Sequence, residues 1–258
     1  MEKLIAQGRL IFAVAITALG VENLICARAQ EVTLPVLPWL PPHPILGYAT
    51  GIALIAASLC IAAGIRARLS AILLGIFFLA CVLVLLVPRA AAHPFDLSIR
   101  TVVFETLSFC AAALTLARSL SDGRDSQQSS GVLDNFLKSG HYFLALSSVV
   151  FGISHFLIAP FIATLIPAWI PGRLFWAYFT GAAFIAAGLS IAAKWMDRLA
   201  ATLLGTMFLL WFLLLHSPRV LSAPRSHNPN EWSSAFIALG MCGASWIIAR
   251  DSMRSRQT

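Results

Sequence analysis

Residues 38–89 of the chain reappear without a gap as residues 168–219, with 25 identical pairs in 52 positions. Trp39 answers Trp169, Pro41 answers Pro171, Tyr48 answers Tyr178, Gly51 answers Gly181 and Gly75 answers Gly205. The match ends on Pro88-Arg89 and Pro218-Arg219. Shared apolar composition does not produce identity at this level, so the chain is read as a tandem duplication of one unit. Whatever it folds into must be something that two copies of that unit can build together.

The nature of the unit follows from its apolar runs. Hydrophobic residues make up 59% of the 258 positions and charged ones 11%, with a mean hydropathy of +0.84. A soluble domain cannot hide that much apolar surface from water. Eight runs, roughly 8–27, 45–65, 69–87, 101–117, 142–165, 174–193, 199–215 and 233–249, approach the ~20 residues a helix needs to cross ~30 Å of hydrocarbon. They are continuously apolar rather than alternating, which favours helices over barrel strands. The expected fold is an all-α integral membrane protein with eight transmembrane helices as two parallel four-helix repeats. An even number of spans per repeat keeps the copies parallel, related by an axis along the membrane normal.

The first repeat is expected to occupy residues 1–117 and the second 142–258 with a short basic tail. Serine, glycine and aspartate dominate the start of 118–141, as in a linker. Within it, Val132–Lys138 reads as a short amphipathic turn on the cytoplasmic membrane face. A cleavable signal peptide is the competing reading of Lys3, Arg9 and the run Leu10–Leu19. No small-x-small site follows, Glu22-Asn23 interrupts the run, and Gly20 and Ala27 answer Gly152 and Ala159. The segment is therefore expected to stay as the first span.

Charge sets the expected orientation. Twelve Lys or Arg residues fall in the segments on the side of the termini and six in the opposite loops. The positive-inside rule then places both termini in the cytoplasm, for a multi-pass protein of the cell's inner (plasma) membrane. The net charge of +7 reads as topology and attraction to anionic membrane lipids, and no nucleic-acid partner is expected. Cys26, Cys60, Cys81, Cys110 and Cys242 form no CxxC pair and read as small packing residues.

Each half carries a Pro/Trp-rich outer loop, TLPVLPWLPPHP at 33–44 and LIPAWIPGR at 165–173, where proline cannot continue a helix. Gly47-x-x-x-Gly51 and Ala177-x-x-x-Gly181 open the next span with small residues that let helices approach closely. Such ridges serve packing within the chain or a homo-oligomer interface.

Candidate chemistry rests on polar groups inside spans. Glu22 and Glu105 each sit about five residues from an outer boundary, roughly 7–8 Å deep at ~1.5 Å per residue. Equal depth allows them to share a proton, or to pair with Arg28, Arg89 or Arg100. They read either as a binding or proton-transfer site or as structural carboxylates. In the second copy Glu22 becomes Ser154, Asn23 becomes His155 and Glu105 becomes Ile237. Asn23 and His155 are candidates for polar contact within the membrane, and His216 stands at the outer end of the seventh span. Arg89 and Arg219 recur at one repeat position. They suit lipid phosphate or the clamping of an anionic or quinone-like head group, and Tyr48 and Tyr178 are placed to line the same mouth. Haem ligation needs two facing histidines or a His/Met pair, which no spacing here enforces. No metal cluster follows from His93, His216 and His227. No Walker loop, dinucleotide fingerprint, His-Glu-x-x-His or Gly-x-Ser-x-Gly occurs. Nothing specifies a catalytic residue.

The unit resembles the DoxX-like family of small four-helix membrane proteins. Gly20-Val-Glu-Asn-Leu ends the first span, a Pro-Trp loop precedes a Gly/Ala-rich second, Arg68-Leu-Ser-Ala-Ile-Leu-Leu-Gly opens the third, and Phe104-Glu105 lies in the fourth. The likeness covers residues 8–117 and, in a more divergent copy, 142–249. It implies a bacterial membrane protein tied in some members to quinone-linked or thiosulfate oxidation. The expected function is an accessory or binding protein for a quinone-like or lipid-like molecule, or for a membrane redox partner. The alternatives are a small-solute or proton-coupled transporter and an integral subunit of a quinone-linked oxidoreductase.

Overall fold

The computed structural model describes residues 6–29, 44–121, 131–222 and 229–254. Helices α1 (Gly8–Ala29), α2 (Pro44–Ala63), α3 (Ala67–Ala92) and α4 (Leu97–Ser119) come from the first copy. From the second come α5 (Gly131–Leu157), the short α6 (Ala159–Leu165), α7 (Arg173–Ala192), α8 (Asp197–Ser222) and α9 (Pro229–Arg254). All but α6 contain a stretch long and apolar enough to span a bilayer, and no strand occurs among the described residues. The chain is an all-α, multi-pass membrane protein. The expected 33–43 loop with Trp39, the Arg28 side chain, residues 122–130 and His227 lie outside the described residues.

Three local features differ from expectation. Val132–Lys138 is not a surface turn but the opening of α5. Leu137 is buried there, Leu133 and Phe136 pack on the core, and Asp134 pairs with Lys138 one turn on, all of which favour helix. The run 142–165 is not one helix. It breaks at Ile158, and Pro160 takes the first turn of α6, where its missing N–H is harmless.

The third difference recurs in both copies. α3 and α8 continue past Pro88 and Pro218, each through a π-helical segment, Cys81–Leu86 and Phe212–His216. Proline lacks an N–H and its ring collides with the carbonyl four residues back. A wider turn just before it absorbs that conflict. Val87 N–H reaches Val82 and Ser217 N–H reaches Phe212, five residues back in each case.

The hairpins at the other end of the bundle also repeat bond for bond. Ile65 N–H donates to the Cys60 carbonyl and Gly64 N–H to Ile61. In the second copy Trp195 donates to Ser190 and Lys194 to Ile191. These are paired C-terminal helix caps that need a left-handed residue. Gly64 supplies it at φ 77°, whereas Lys194 adopts φ 54° with a side chain. Arg66 and Met196, two residues on, are left-handed as well.

Helix order around the bundle follows the contacts. α1 packs on α2, α2 on α3 and α3 on α4, and the second copy repeats this with α5, α7, α8 and α9. The circle closes across the copies, α4 against α5 and α9 against α1, while α4 and α9 also meet through the middle. Every residue from Leu107 to Ala117 in α4, and from Gly240 to Ala249 in α9, is buried. Gly8 at the start of α1 lies against Trp246 and Ile247 near the end of α9. Both ends of the described chain therefore share one face of the bundle, here the terminal face. The opposite one is the distal face.

Glycine sets the closest contacts. A Cβ at Gly20 would stand 2.9 Å from the Gly51 carbonyl oxygen, and one at Gly152 2.6 Å from that of Gly181. At Gly140 it would lie 2.5 Å from Thr115 Oγ1 and 2.7 Å from the Ala111 carbonyl oxygen, across the α4–α5 seam. Backbone cannot yield there. Gly140→Ala should therefore lower stability by about 1–3 kcal/mol, the usual range for overpacking, in thermal denaturation of the detergent-solubilised protein. Gly131→Ala, which meets nothing within 4 Å, should leave the midpoint unchanged. Equal behaviour of the two variants would contradict the packing described.

Candidate functional site

The bundle is polar at both ends and apolar between. Three buried hydroxyls of the middle layer turn back onto their own helices: Ser108 donates to Phe104, Ser148 to Leu144 and Ser245 to Met241. Around them Phe12, Phe109, Leu114, Leu144, Phe184 and Met241 pack as one core. Phe109 meets Phe12 of α1 at 6.2 Å and Phe78 of α3 at 5.6 Å between ring centroids.

At the terminal face a polar knot ties three helices. Arg118 of α4 donates to Asp251 Oδ2 of α9 at 2.6 Å, and His141 Nε2 of α5 stands 3.5 Å from the same oxygen. Asp251 keeps only 5% of its surface exposed. This knot joins the copies where α4, α5 and α9 converge. Nothing in the sequence singles it out. Arg118 reads as an ordinary flanking cation, His141 stands at the edge of the linker, and Asp251 falls in the basic tail.

The distal face gathers the polar residues expected to matter, but not as one site. Glu22 and Asn23 on α1 are buried and neither is free. Glu105 is half-buried on α4 one turn beyond Phe109, and among the described residues it takes no hydrogen bond and no ion pair. The shared proton between Glu22 and Glu105 is therefore not formed, nor is an ion pair between Glu105 and Arg100. Arg100 instead donates to Ser154 Oγ of α5 at 3.2 Å. Arg89 is exposed and makes no ion pair among the described residues. Tyr48 and Tyr178 are exposed on the outer helices, with Tyr178 against Phe156.

The second copy is where side chains converge. His155 of α5 is buried within an aromatic niche. Its ring stacks on Trp211 of α8 at 5.7 Å and 20°, and lies 5.1 Å from Phe184 of α7. Phe151 and Phe208 complete the wall through Phe184 and Trp211. His155 Nδ1 is 2.8 Å from the Phe151 carbonyl oxygen, which can only accept, so Nδ1 carries the hydrogen. Further along α8 stand His216 and Arg219. Glu231 of α9 stands beside both, at 3.5 Å from His216 Nδ1 and 3.7 Å from Arg219 Nη1. Arg219 also donates to the Leu165 carbonyl at the end of α6. The π-helical segment Phe212–His216 connects the niche to this cluster.

The two copies together separate scaffold from addition. Positions Asn23, Leu19, Leu54, Phe78 and Cys81 of the first copy correspond to His155, Phe151, Phe184, Phe208 and Trp211. One ring of the four is common to both. Likewise Glu231 aligns with Ile99 and His216 with Leu86, which leaves Arg89 without the acid that Arg219 has. The first copy has the same order of helices without these residues, so the fold does not require them. The sequence marks His155, His216 and Arg219 singly. Their aromatic and acidic partners escape notice because Phe and Trp in apolar spans carry no signal of their own. The alignment difference between copies is the one signal available.

Among the described residues no three His, Cys, Asp or Glu side chains converge to hold a metal ion. No protein-family model, curated protein or solved structure matches this chain.

Two stability experiments follow. Asp251→Leu leaves Arg118 and His141 facing each other without their anion. It should cost about 3 kcal/mol, the low end for a buried pair, because the Arg118 side chain keeps 28% exposure. Arg118→Met in the same chain should recover part of that loss in detergent melts, and strictly additive losses would contradict the knot. Glu105→Ile copies the residue at the matching position of the second repeat, Ile237. The melting midpoint should hold or rise, since an unpaired carboxyl is replaced by apolar surface. A drop of several degrees would reveal a structural partner for Glu105.

Proposed function

We propose that the chain is a DoxX-like membrane protein that binds a quinone-like, lipid-soluble molecule at the distal face of its second copy. The observation that carries this reading is the His155 niche: an imidazole among aromatic rings, next to a charged cluster. A flat, weakly polar ring with an apolar tail needs rings to stack on, one or two hydrogen-bonding groups and charge near the headgroup layer. The niche, His155 and the Arg219–Glu231–His216 cluster supply these in order along α8. The twelve-to-six distribution of basic residues supports an inner (plasma) membrane location with cytoplasmic termini. The site would then open toward the outer leaflet.

Binding is favoured over transport because the polar ends are separated by the packed layer of Phe12, Phe109, Leu114, Leu144 and Phe184. No chain of polar groups crosses it among the described residues. A redox partner protein or a second copy of the chain would meet this one through its exposed helix faces, and membrane lipids cover them otherwise. The role is accessory rather than catalytic: the site holds a ligand and presents it.

The test is saturable binding of a short-chain benzoquinone to the full chain in lipid nanodiscs, followed by tryptophan quenching or calorimetry. Trp211→Ala should weaken it about two- to tenfold, as expected from the loss of one aromatic stack worth ~0.5–1.5 kcal/mol. Absence of saturable binding to the wild-type protein, or an unchanged affinity in the variant, would overturn the reading.

A further inference from the structure

We propose that the niche selects the reduced form of its ligand, through a hydrogen bond from a ring hydroxyl to His155 Nε2. This selection rests on the binding reading above and goes beyond it by naming the redox form and the atom that reads it.

The tautomer of His155 is fixed locally. Nδ1 donates to the Phe151 carbonyl within the same helix. In a neutral imidazole this leaves the lone pair on Nε2. No described residue donates to Nε2. It is also not among the sealed polar atoms of the bundle, although His155 keeps only 9% of its surface. The atom therefore combines three properties: it accepts, it is unclaimed, and it is reachable at the edge of a nearly closed aromatic niche.

Such an atom discriminates by chemistry. A hydroquinone brings an O–H that completes the imidazole's hydrogen bonding. A quinone brings a carbonyl, also an acceptor, so the two lone pairs face each other and both stay unsatisfied. In a site closed to water, that mismatch is more unfavourable than the bond is favourable. Contact with the partly exposed Trp211 is common to both forms and gives affinity without preference.

Position also points to a dedicated role. Helix α5 must bring residue 155 close to α7, and Gly181 allows it: a Cβ there would lie 2.8 Å from His155 Cβ. The first copy has the same glycine, Gly51, and the same close crossing with Gly20. It seats Asn23 where the second copy has His155. The close crossing is common to both copies, and only the second places an imidazole at it, walled by Trp211 and Phe184.

The experiment measures binding of a short-chain benzoquinone and of its hydroquinone to the full chain in nanodiscs, under anaerobic conditions. Wild type should bind the hydroquinone about tenfold more tightly, the effect of one hydrogen bond gained against one mismatch avoided. His155→Phe keeps a ring in the stack and should bind the two forms equally. His155→Gln places an amide oxygen near the position of Nε2 and should restore part of the preference. Equal affinities in wild type, or a preference that survives in His155→Phe, would overturn the redox selection and leave the binding reading standing. No saturable binding of either form to wild type would overturn both. Should His155→Phe fail to fold, the wild-type comparison and His155→Gln still decide.

Discussion

Everything in this bundle depends on how closely its helices approach. Lipid is as apolar as leucine, so burying apolar surface does not drive helices together within a membrane; contact distance does. The pairs Gly20–Gly51 and Gly152–Gly181 bring backbone within reach of backbone. Gly8 and Gly140 do the same at the seams between copies. With those contacts fixed, the remaining side chains have little freedom in where they point. The closed circle of helices follows, and so does the seat beside Gly181 that His155 occupies.

The seams also explain why two copies belong in one chain. The first helix of each copy packs on the last helix of the other, so neither copy completes its own circle. The buried knot of Arg118, His141 and Asp251 lies on one seam. Its counterpart on the other has Arg250, Arg9 and Ser119. There Arg9 and Arg250 donate instead to the carbonyls of Ala62 and Ala6. The two seams correspond in position, and one of them carries an acid. The same asymmetry appears at the distal face, where Arg219 has Glu231 and Arg89 has no counterpart to it.

Much of the fold is legible in the amino-acid chain alone. Continuous apolar runs mark eight spans, and glycines and alanines at matched positions mark the packing ridges. The π-helical segments are not legible, because a proline within an apolar run reads as a helix end. Pro88 and Pro218 are instead accommodated by a wider turn just ahead of them. The opening of α5 is hidden for a related reason. The polar residues of 131–138 resemble linker, and only contacts from Leu133, Phe136 and Leu137 reveal a helix. For the candidate site, charge draws attention to Glu22 and Glu105, yet these do not pair. Convergence comes from Trp211, Phe184 and Glu231, whose meaning depends on which helices stand side by side.

In the proposed function the first copy is scaffold and the second holds a ring-binding niche. Photoaffinity labelling with an azido-benzoquinone, followed by peptide mapping, tests it most directly. Adducts are predicted on α5, α7 and α8 around Phe151–His155, Phe184 and Phe208–Trp211, competed away by unlabelled ligand. Adducts concentrated at the matching first-copy positions around Leu19–Asn23, Leu54 and Phe78–Cys81, or at the terminal face, would contradict it.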